Sequence, residues 1–366
     1  MKYQDAIYIG EREISLSGQT YFIADIGASH DGELSRAKDL IWLAKESGAD
    51  AVKFQHFKAS QIVSDFGFKN LGGQKSHQAK WKKSVYEIYA QYECNRDWNQ
   101  ELIKAAQEAG VDFMTTPYDL EAVELFDPYV PAYKIGSGDI TWLDFIKIVS
   151  QRSKPILLAT GASSLLDVER AVETVLAYNS QQALLQCNTN YTGSPENFGF
   201  INLRVLQSYA SKYPGMPLGL SDHTPGHATV LGAIALGARI IEKHFTDDNK
   251  REGPDHPFSM TPLTWREMID RSRELEMALG TGTKRVESNE SDTVIVQRRC
   301  LRLTRNMEAG EKISSEDLEA LRPAPTGALE PYRISQVLGQ TLAASKTAGD
   351  AIYEEDFLGD ICLEGI

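Results

Sequence analysis

From about Tyr21 to Gly280 short apolar runs alternate with amphipathic stretches on a regular beat, and this rhythm constrains the fold more than any other feature. The apolar runs fall at Tyr21–Gly27, Ala51–Phe57, Val111–Pro117, Ala132–Gly138, Pro155–Thr160, Ala183–Asn188, Pro217–His223 and Arg239–Phe245. Short continuous apolar runs are what parallel strands covered on both faces require. Between them, stretches such as Ser35–Gly48, Asn95–Gly110, Leu165–Asn179 and Asn202–Tyr213 carry helical spacing, and Gly48, Gly110, Gly237 and Gly280 supply helix stops. Strand–helix units repeated over about 250 residues predict an α/β chain folded as a (β/α)8 TIM barrel. An open doubly wound sheet would place a glycine-rich phosphate loop after its first strand. Here that strand runs into Ile26-Gly-Ala-Ser-His-Asp-Gly, a different pattern.

The barrel is expected over residues 1–283, with a polar linker over 284–293. A small β-rich domain is expected over 294–366, where turn signals recur at Asn306, Gly310, Pro323, Pro325, Gly327 and Gly349. One connection breaks the beat. Residues 58–94, rich in Lys, Gln, Ser, Gly and aromatics, are too long for a simple turn and are expected to form a lid over the active face.

The formal charge of −13 argues against a nucleic-acid partner or an anionic membrane surface. It also requires that any anionic substrate be drawn by local cations. Cys94, Cys187, Cys300 and Cys362 lack metal-type spacing and suit a reducing, cytoplasmic setting. The N-terminal residues lack the apolar core of a signal peptide, and no apolar stretch is long enough to span a bilayer.

Barrel active sites gather at the C-terminal ends of the strands. His223 and His244 end two consecutive apolar runs, an arrangement suited to holding a divalent metal between neutral imidazoles. Lys53 and Gln55 share one strand face, and Glu242 and His244 share another. Lys53 and Lys134 lie within apolar runs, where an unpaired ammonium is costly to bury. They therefore imply carboxylate partners or an anionic ligand, and the ligand is the favoured reading. Asp25 and Asp139 are candidates to neutralise them or to act in chemistry. Thr116, Ser137, Thr160 and Ser221 at strand tips would donate to phosphate or sugar oxygens. His227 is expected at a helix start in a capping or supporting role, and His56 is expected to face the helices.

Five segments in order then carry a family resemblance. They are Phe22-Ile-Ala-Asp-Ile-Gly-Ala-Ser-His-Asp-Gly, Gly48-Ala-Asp-Ala-Val-Lys-Phe-Gln, Pro131-Ala-Tyr-Lys-Ile-Gly-Ser-Gly-Asp, Gly219-Leu-Ser-Asp-His-Thr and Glu242-Lys-His-Phe-Thr-Asp. Together they resemble the sialic acid synthase family, which condenses phosphoenolpyruvate with an aldose such as N-acetylmannosamine to give a nonulosonic acid and phosphate. The tail, with Leu321-Arg-Pro-Ala-Pro-Thr-Gly, resembles the antifreeze-like SAF domain of that family.

The resemblance implies a divalent metal on His223 and His244, manganese above all, with magnesium or cobalt as alternatives. It implies Lys53, Lys134 and Ser137 about phosphoenolpyruvate, and Gln55, Thr116, Tyr191 and Asp255 around the two substrates. Ser221 joins the binding set. It further implies a domain-swapped homodimer in which Arg322 reaches the sugar of the other copy. Proton transfer is assigned to Asp139, and sugar positioning or contact with metal-bound water to Asp25. The chain departs from the family pattern at Asp25 (usually Glu), at Ser29-His30-Asp31, at Ala159 and at Thr189. These changes leave the acceptor open. Two rival readings are a Schiff-base pyruvate aldolase using Lys53 or Lys134 and a sugar-binding relative that no longer turns over.

Overall fold

The computed structural model describes residues 2–73 and 75–359. The chain divides into two compact units, one up to Gly280 and one from Thr281.

The first unit opens with a hairpin, β1 (Ala6–Ile9) and β2 (Arg12–Ser15), paired antiparallel around a turn at Gly10, whose φ of +59° suits a glycine. Eight parallel strands follow: β3 (Tyr21–Asp25), β4 (Ala51–His56), β5 (Asp112–Pro117), β6 (Tyr133–Ile135), β7 (Ile156–Ala159), β8 (Gln182–Cys187), β9 (Leu218–Asp222) and β10 (Ala238–His244). They pair in chain order and close through β10 against β3, from Ile240 opposite Tyr21 to His244 opposite Asp25. This is the expected TIM barrel, with each expected strand present to within a few residues.

Alternation along the strands sorts the residues into two layers. Phe22, Val52, Phe54, Phe113, Ile135, Leu158, Leu184 and Ile241 face outward into the helix layer, in one large core with residues such as Leu40, Leu102, Phe126 and Trp265. Tyr21, Ile23, Ala51, Met114, Leu157, Leu185 and Ile240 fill the barrel interior with Ile7, Ile9 and Ile14 of the hairpin. The hairpin thus plugs the N-terminal end of the barrel, a role the sequence reading did not assign to it. The same inward parity that begins with Ile23, Ala51, Met114 and Ile240 continues upward to Asp25, Lys53, Thr116 and Glu242. The floor of the active face is therefore built directly on the apolar interior.

Among the described residues the long connection after β4 holds the short helical segments Ala59–Ile62, Asp65–Lys69, Ser76–Lys80 and Val85–Gln91. The last is fixed at its start by a reciprocal Ser84–Glu87 capping box.

In the second unit, β11 (Cys300–Leu303) pairs antiparallel with β12 (Leu318–Leu321) over a small core that includes Leu301, Leu303, Ile313, Leu329, Leu342 and Ile352. The segment expected to be a plain linker carries a helical turn, Ser288–Glu290, leading into a helix, Ser291–Gln297. Cys94, Cys187 and Cys300 are buried free thiols, and Cys362 lies outside the described residues. Among the described residues no helix is long and apolar enough to cross a membrane.

Candidate active site

The C-terminal ends of the barrel strands surround a cavity of about 370 Å³. Its wall includes Asp25, Lys53, Gln55, Thr116, Lys134, Ser137, Asp139, Tyr191, Ser221, His223, Glu242 and His244. Nearly all the residues singled out from the sequence thus meet in one place. Asp255 borders an adjoining cavity of about 140 Å³, which shares Gln55, Tyr191 and His244 with the first.

Two buried ion pairs make the floor. Lys53 Nζ donates to Asp25 Oδ2 at 2.7 Å and to Thr116 Oγ1 at 3.0 Å. Gln55 Nε2 donates to the same Asp25 oxygen at 2.9 Å, and the Gly27 amide donates to Asp25 Oδ1 at 3.0 Å. Burial works against the Asp25 charge, but Lys53 and His244 outweigh it and hold the carboxyl below its ordinary range. Burial likewise opposes the Lys53 charge, and Asp25 and Glu242 overcome it, so the ammonium is held protonated. Opposite, Lys134 Nζ donates to Glu242 Oε1 at 2.8 Å, and Ser221 Oγ donates to that oxygen at 2.9 Å. Both lysines therefore have the carboxylate partners that their burial demands.

An ammonium has three donors. Among the described residues Lys53 uses two of its donors and Lys134 one. Each lysine therefore retains donating capacity toward the cavity. Among the described residues Glu242 Oε2 and Asp139 Oδ2 are buried without a hydrogen-bond partner. Burial pushes the Asp139 carboxyl up to about 6. Ser137 lies in the turn after β6, and its Oγ accepts from the Gly161 amide at 2.9 Å, tying that turn to the one after β7.

His223 and His244 face each other with ring centroids 5.5 Å apart. His223 Nδ1 lies 2.8 Å from the Asn188 carbonyl oxygen. A carbonyl only accepts, so Nδ1 carries the proton and Nε2 presents a lone pair. Burial, reinforced by His244, lowers the His223 pKa to about 4 and keeps the ring neutral. His244 stands between two carboxylates, with Nε2 3.5 Å from Asp25 and Nδ1 3.3 Å from Asp255. Burial alone would lower its pKa, but Asp25 and Asp255 raise it. Asp255 in turn accepts from the Ala28 amide at 2.7 Å. Gly27 is required here: it has φ of +49°, and a Cβ would lie 2.4 Å from Asp255 Oδ2 and 2.9 Å from His244 Nδ1.

The chemistry of this donor set suits a divalent cation. The donors it would take are the two facing imidazoles, His223 through its unprotonated Nε2 and His244 beside it.

Aromatic rings complete the upper wall. Tyr191 packs on His223 at 4.2 Å, Phe258 on His244 at 4.9 Å, and His77 on Tyr191 at 5.0 Å. His77, Trp81, Tyr89 and Tyr92, all from the long connection after β4, line the smaller cavity with Phe57 and Tyr118. That connection therefore covers the active face as a lid would.

Glu242 was noted in the sequence only for its shared parity with His244. The need of a buried Lys134 for an acid was the signal that could have assigned it. Tyr89, Tyr118 and Phe258 were missed altogether. His56 faces outward, its Nδ1 2.8 Å from Thr115 Oγ1 and its ring against Phe126. His227 stands at the N-cap of helix Ala228–Ala235 without a side-chain capping bond and does not line the cavity. Arg322 belongs to the second unit, where it is exposed just after β12.

Comparison with known proteins places these features. Residues 40–284 match the model of the NeuB family, and residues 298–358 match that of the SAF domain. N,N'-diacetyllegionaminic acid synthase of Legionella pneumophila is 35% identical over 341 residues, 92% of this chain and 94% of that one. Human N-acetylneuraminate-9-phosphate synthase is 34% identical over 267 residues, 73% of each chain. The crystal structure of the N-acetylneuraminic acid synthetase of Leptospira borgpetersenii, in complex with citrate, superposes with a TM-score of 0.70 at 26% identity, covering 79% of this chain and 95% of that one. The chain therefore belongs to the NeuB family, the sialic acid synthase family, as a TIM-barrel enzyme followed by an SAF domain.

Proposed function

We propose that this enzyme condenses phosphoenolpyruvate with the open-chain form of an N-acyl amino aldose, with a divalent metal, manganese above all, held by His223 and His244. The observation that carries the reading is the junction of two buried lysines with unused donors, in the ion pairs Lys53–Asp25 and Lys134–Glu242, with a facing pair of imidazoles in one cavity. When bound there, the metal would supply Lewis-acid polarisation of the acceptor carbonyl.

The chain's own residues account for the rest. The unused donors of Lys53 and Lys134 suit the carboxylate and phosphate of phosphoenolpyruvate, with Ser137, Thr116 and Ser221 as neutral donors beside them. The C=C π pair of phosphoenolpyruvate forms the bond from its methylene carbon to the aldehyde carbon. The C=O π pair passes to the aldehyde oxygen, which takes a proton from solvent to become a hydroxyl, and water adds to the enol carbon as positive charge builds there. Asp139, whose Oδ2 is buried with no partner among the described residues, takes the proton of that water. The tetrahedral carbon then loses phosphate by carbon–oxygen cleavage as its hydroxyl proton passes to the departing phosphate, which leaves the ketone of the product. Gln55, Tyr191 and Asp255 stand where the cavity opens toward the aromatic wall, a surface suited to the C–H faces and acyl methyl groups of the sugar.

The same reading places the enzyme in the cytoplasm and gives Arg322 to the sugar site of a second copy in a domain-swapped homodimer. A Schiff-base aldolase is disfavoured because Lys53 is held protonated, without the lone pair a nucleophile needs, and Lys134 is bound to Glu242.

The test is a phosphate-release screen with phosphoenolpyruvate, manganese and a panel of neutral and phosphorylated amino aldoses. Release is expected only when an aldose is present and is expected to stop on chelation. Tight binding of phosphoenolpyruvate with no release across the panel would instead favour a binding protein.

A further inference from the structure

Asp222 and Lys243 form a third buried ion pair in the barrel wall, one that the proposed chemistry does not use. They stand opposite each other in the register of β9 and β10, and each immediately precedes one of the two facing histidines. Because side chains alternate, this pair points out toward the helix layer while His223 and His244 point in. The two side chains are 0% and 1% exposed.

Their bonding is dense. Lys243 Nζ donates to Asp222 Oδ2 and, at 2.6 Å, to the carbonyl oxygen of Thr224. Thr224 Oγ1 and Thr229 Oγ1 each donate to Asp222 Oδ2 at 2.8 Å. A buried ion pair is often no more stabilising than an apolar pair of similar volume, so its presence in an apolar layer points to a role in fixing geometry. The bonds here supply one. They lock the ends of β9 and β10 at one relative height, and through the Thr224 carbonyl they hold the backbone immediately beyond His223.

We propose that Asp222 and Lys243 are positioning residues that set the separation of the His223 and His244 imidazoles, and thereby the affinity of the site for a divalent cation. This rests on the metal reading given above.

The experiment titrates manganese by calorimetry into metal-free full-length protein, as wild type, His223→Ala and the double variant Asp222→Leu/Lys243→Met. The double variant removes both charges together, so neither is left stranded. Circular dichroism verifies its fold, and phosphoenolpyruvate binding without metal is measured in parallel. The double variant is expected to bind manganese about 10–100-fold more weakly, with phosphoenolpyruvate binding unchanged. A folded double variant with wild-type manganese affinity, or one that loses both ligands equally, would overturn the positioning role alone. Wild type that binds manganese no better than His223→Ala would overturn the metal reading and this inference with it. Should the double variant not fold, Thr229→Val removes one donor to Asp222 and carries the same expectation and the same refutation.

Discussion

Lys53 Nζ lies 2.7 Å from Asp25 Oδ2, and that same carboxylate oxygen lies 3.5 Å from His244 Nε2. Asp25 thus joins the ion-paired floor to the imidazole pair, and the charges of the two halves depend on one another. Replacing Lys53 by Met strands the buried carboxylate. The expected loss is about 3–5 kcal/mol of folding stability, measured by urea denaturation. A companion Lys53→Met/Asp25→Leu variant should regain most of that stability while remaining inactive toward phosphoenolpyruvate.

Asp139 gives the pH dependence a sign. Burial raises its carboxyl to about 6, so its proton-accepting form is lost as pH falls through that value. The rate should therefore decline below pH of about 6, where an ordinary aspartate would stay ionised down to about 4. Asp139→Asn should abolish that acidic limb and lower kcat by about 10²–10⁴-fold. Stability runs the other way. A carboxyl raised above its unfolded value of about 3.9 contributes fully below that pH and loses the contribution as pH rises through about 6. At neutral pH, thermal melts should find the Asn variant more stable than wild type.

Trp81 lines the smaller, aromatic cavity and is absent from the wall of the charged one. If the acceptor occupies the aromatic side, Trp81→Ala should raise the KM for the aldose by about tenfold, equivalent to about 1.4 kcal/mol. The KM for phosphoenolpyruvate should stay near its wild-type value. Steady-state kinetics with each substrate varied in turn separates the two.

The N-terminal hairpin supplies a control far from the chemistry. Ile14 is fully buried against the barrel interior. Ile14→Ala should cost about 2–5 kcal/mol in a denaturant titration, with kcat unchanged under conditions where the protein remains folded.

How much of this was legible in the sequence follows from the physics of each element. The barrel strands were readable because parallel strands buried on both faces must be apolar runs, and the inward parity of Lys53 with Gln55 and of Glu242 with His244 followed from alternation alone. The hairpin escaped because Ile7, Ile9 and Ile14 make runs too short to distinguish from a loose terminus until the barrel end is there to receive them. The pairing of Lys134 with Glu242 spans 108 residues, and several acids could have met that lysine before closure of the barrel selected one. The turns inside the lid were hidden for a different reason. Helices of four or five residues have little propensity of their own: Ala59–Ile62 buries only Ala59, and Asp65–Lys69 buries nothing and is started by the Ser64 side chain, which accepts from the Gly67 amide. Asp255 was assigned only through the family resemblance, and what it does, flanking His244, appears only once the connection after β10 folds back over Gly27.

The central claim is that phosphate leaves by carbon–oxygen cleavage after phosphoenolpyruvate joins an aldose. Phosphoenolpyruvate labelled with oxygen-18 in its bridging oxygen tests it most directly, with mass spectrometry of both products from the manganese-loaded enzyme and an accepted aldose. The account predicts that the label departs with the phosphate and that the new acid carries none from that position. Label retained in the acid product, through cleavage at phosphorus, would contradict it.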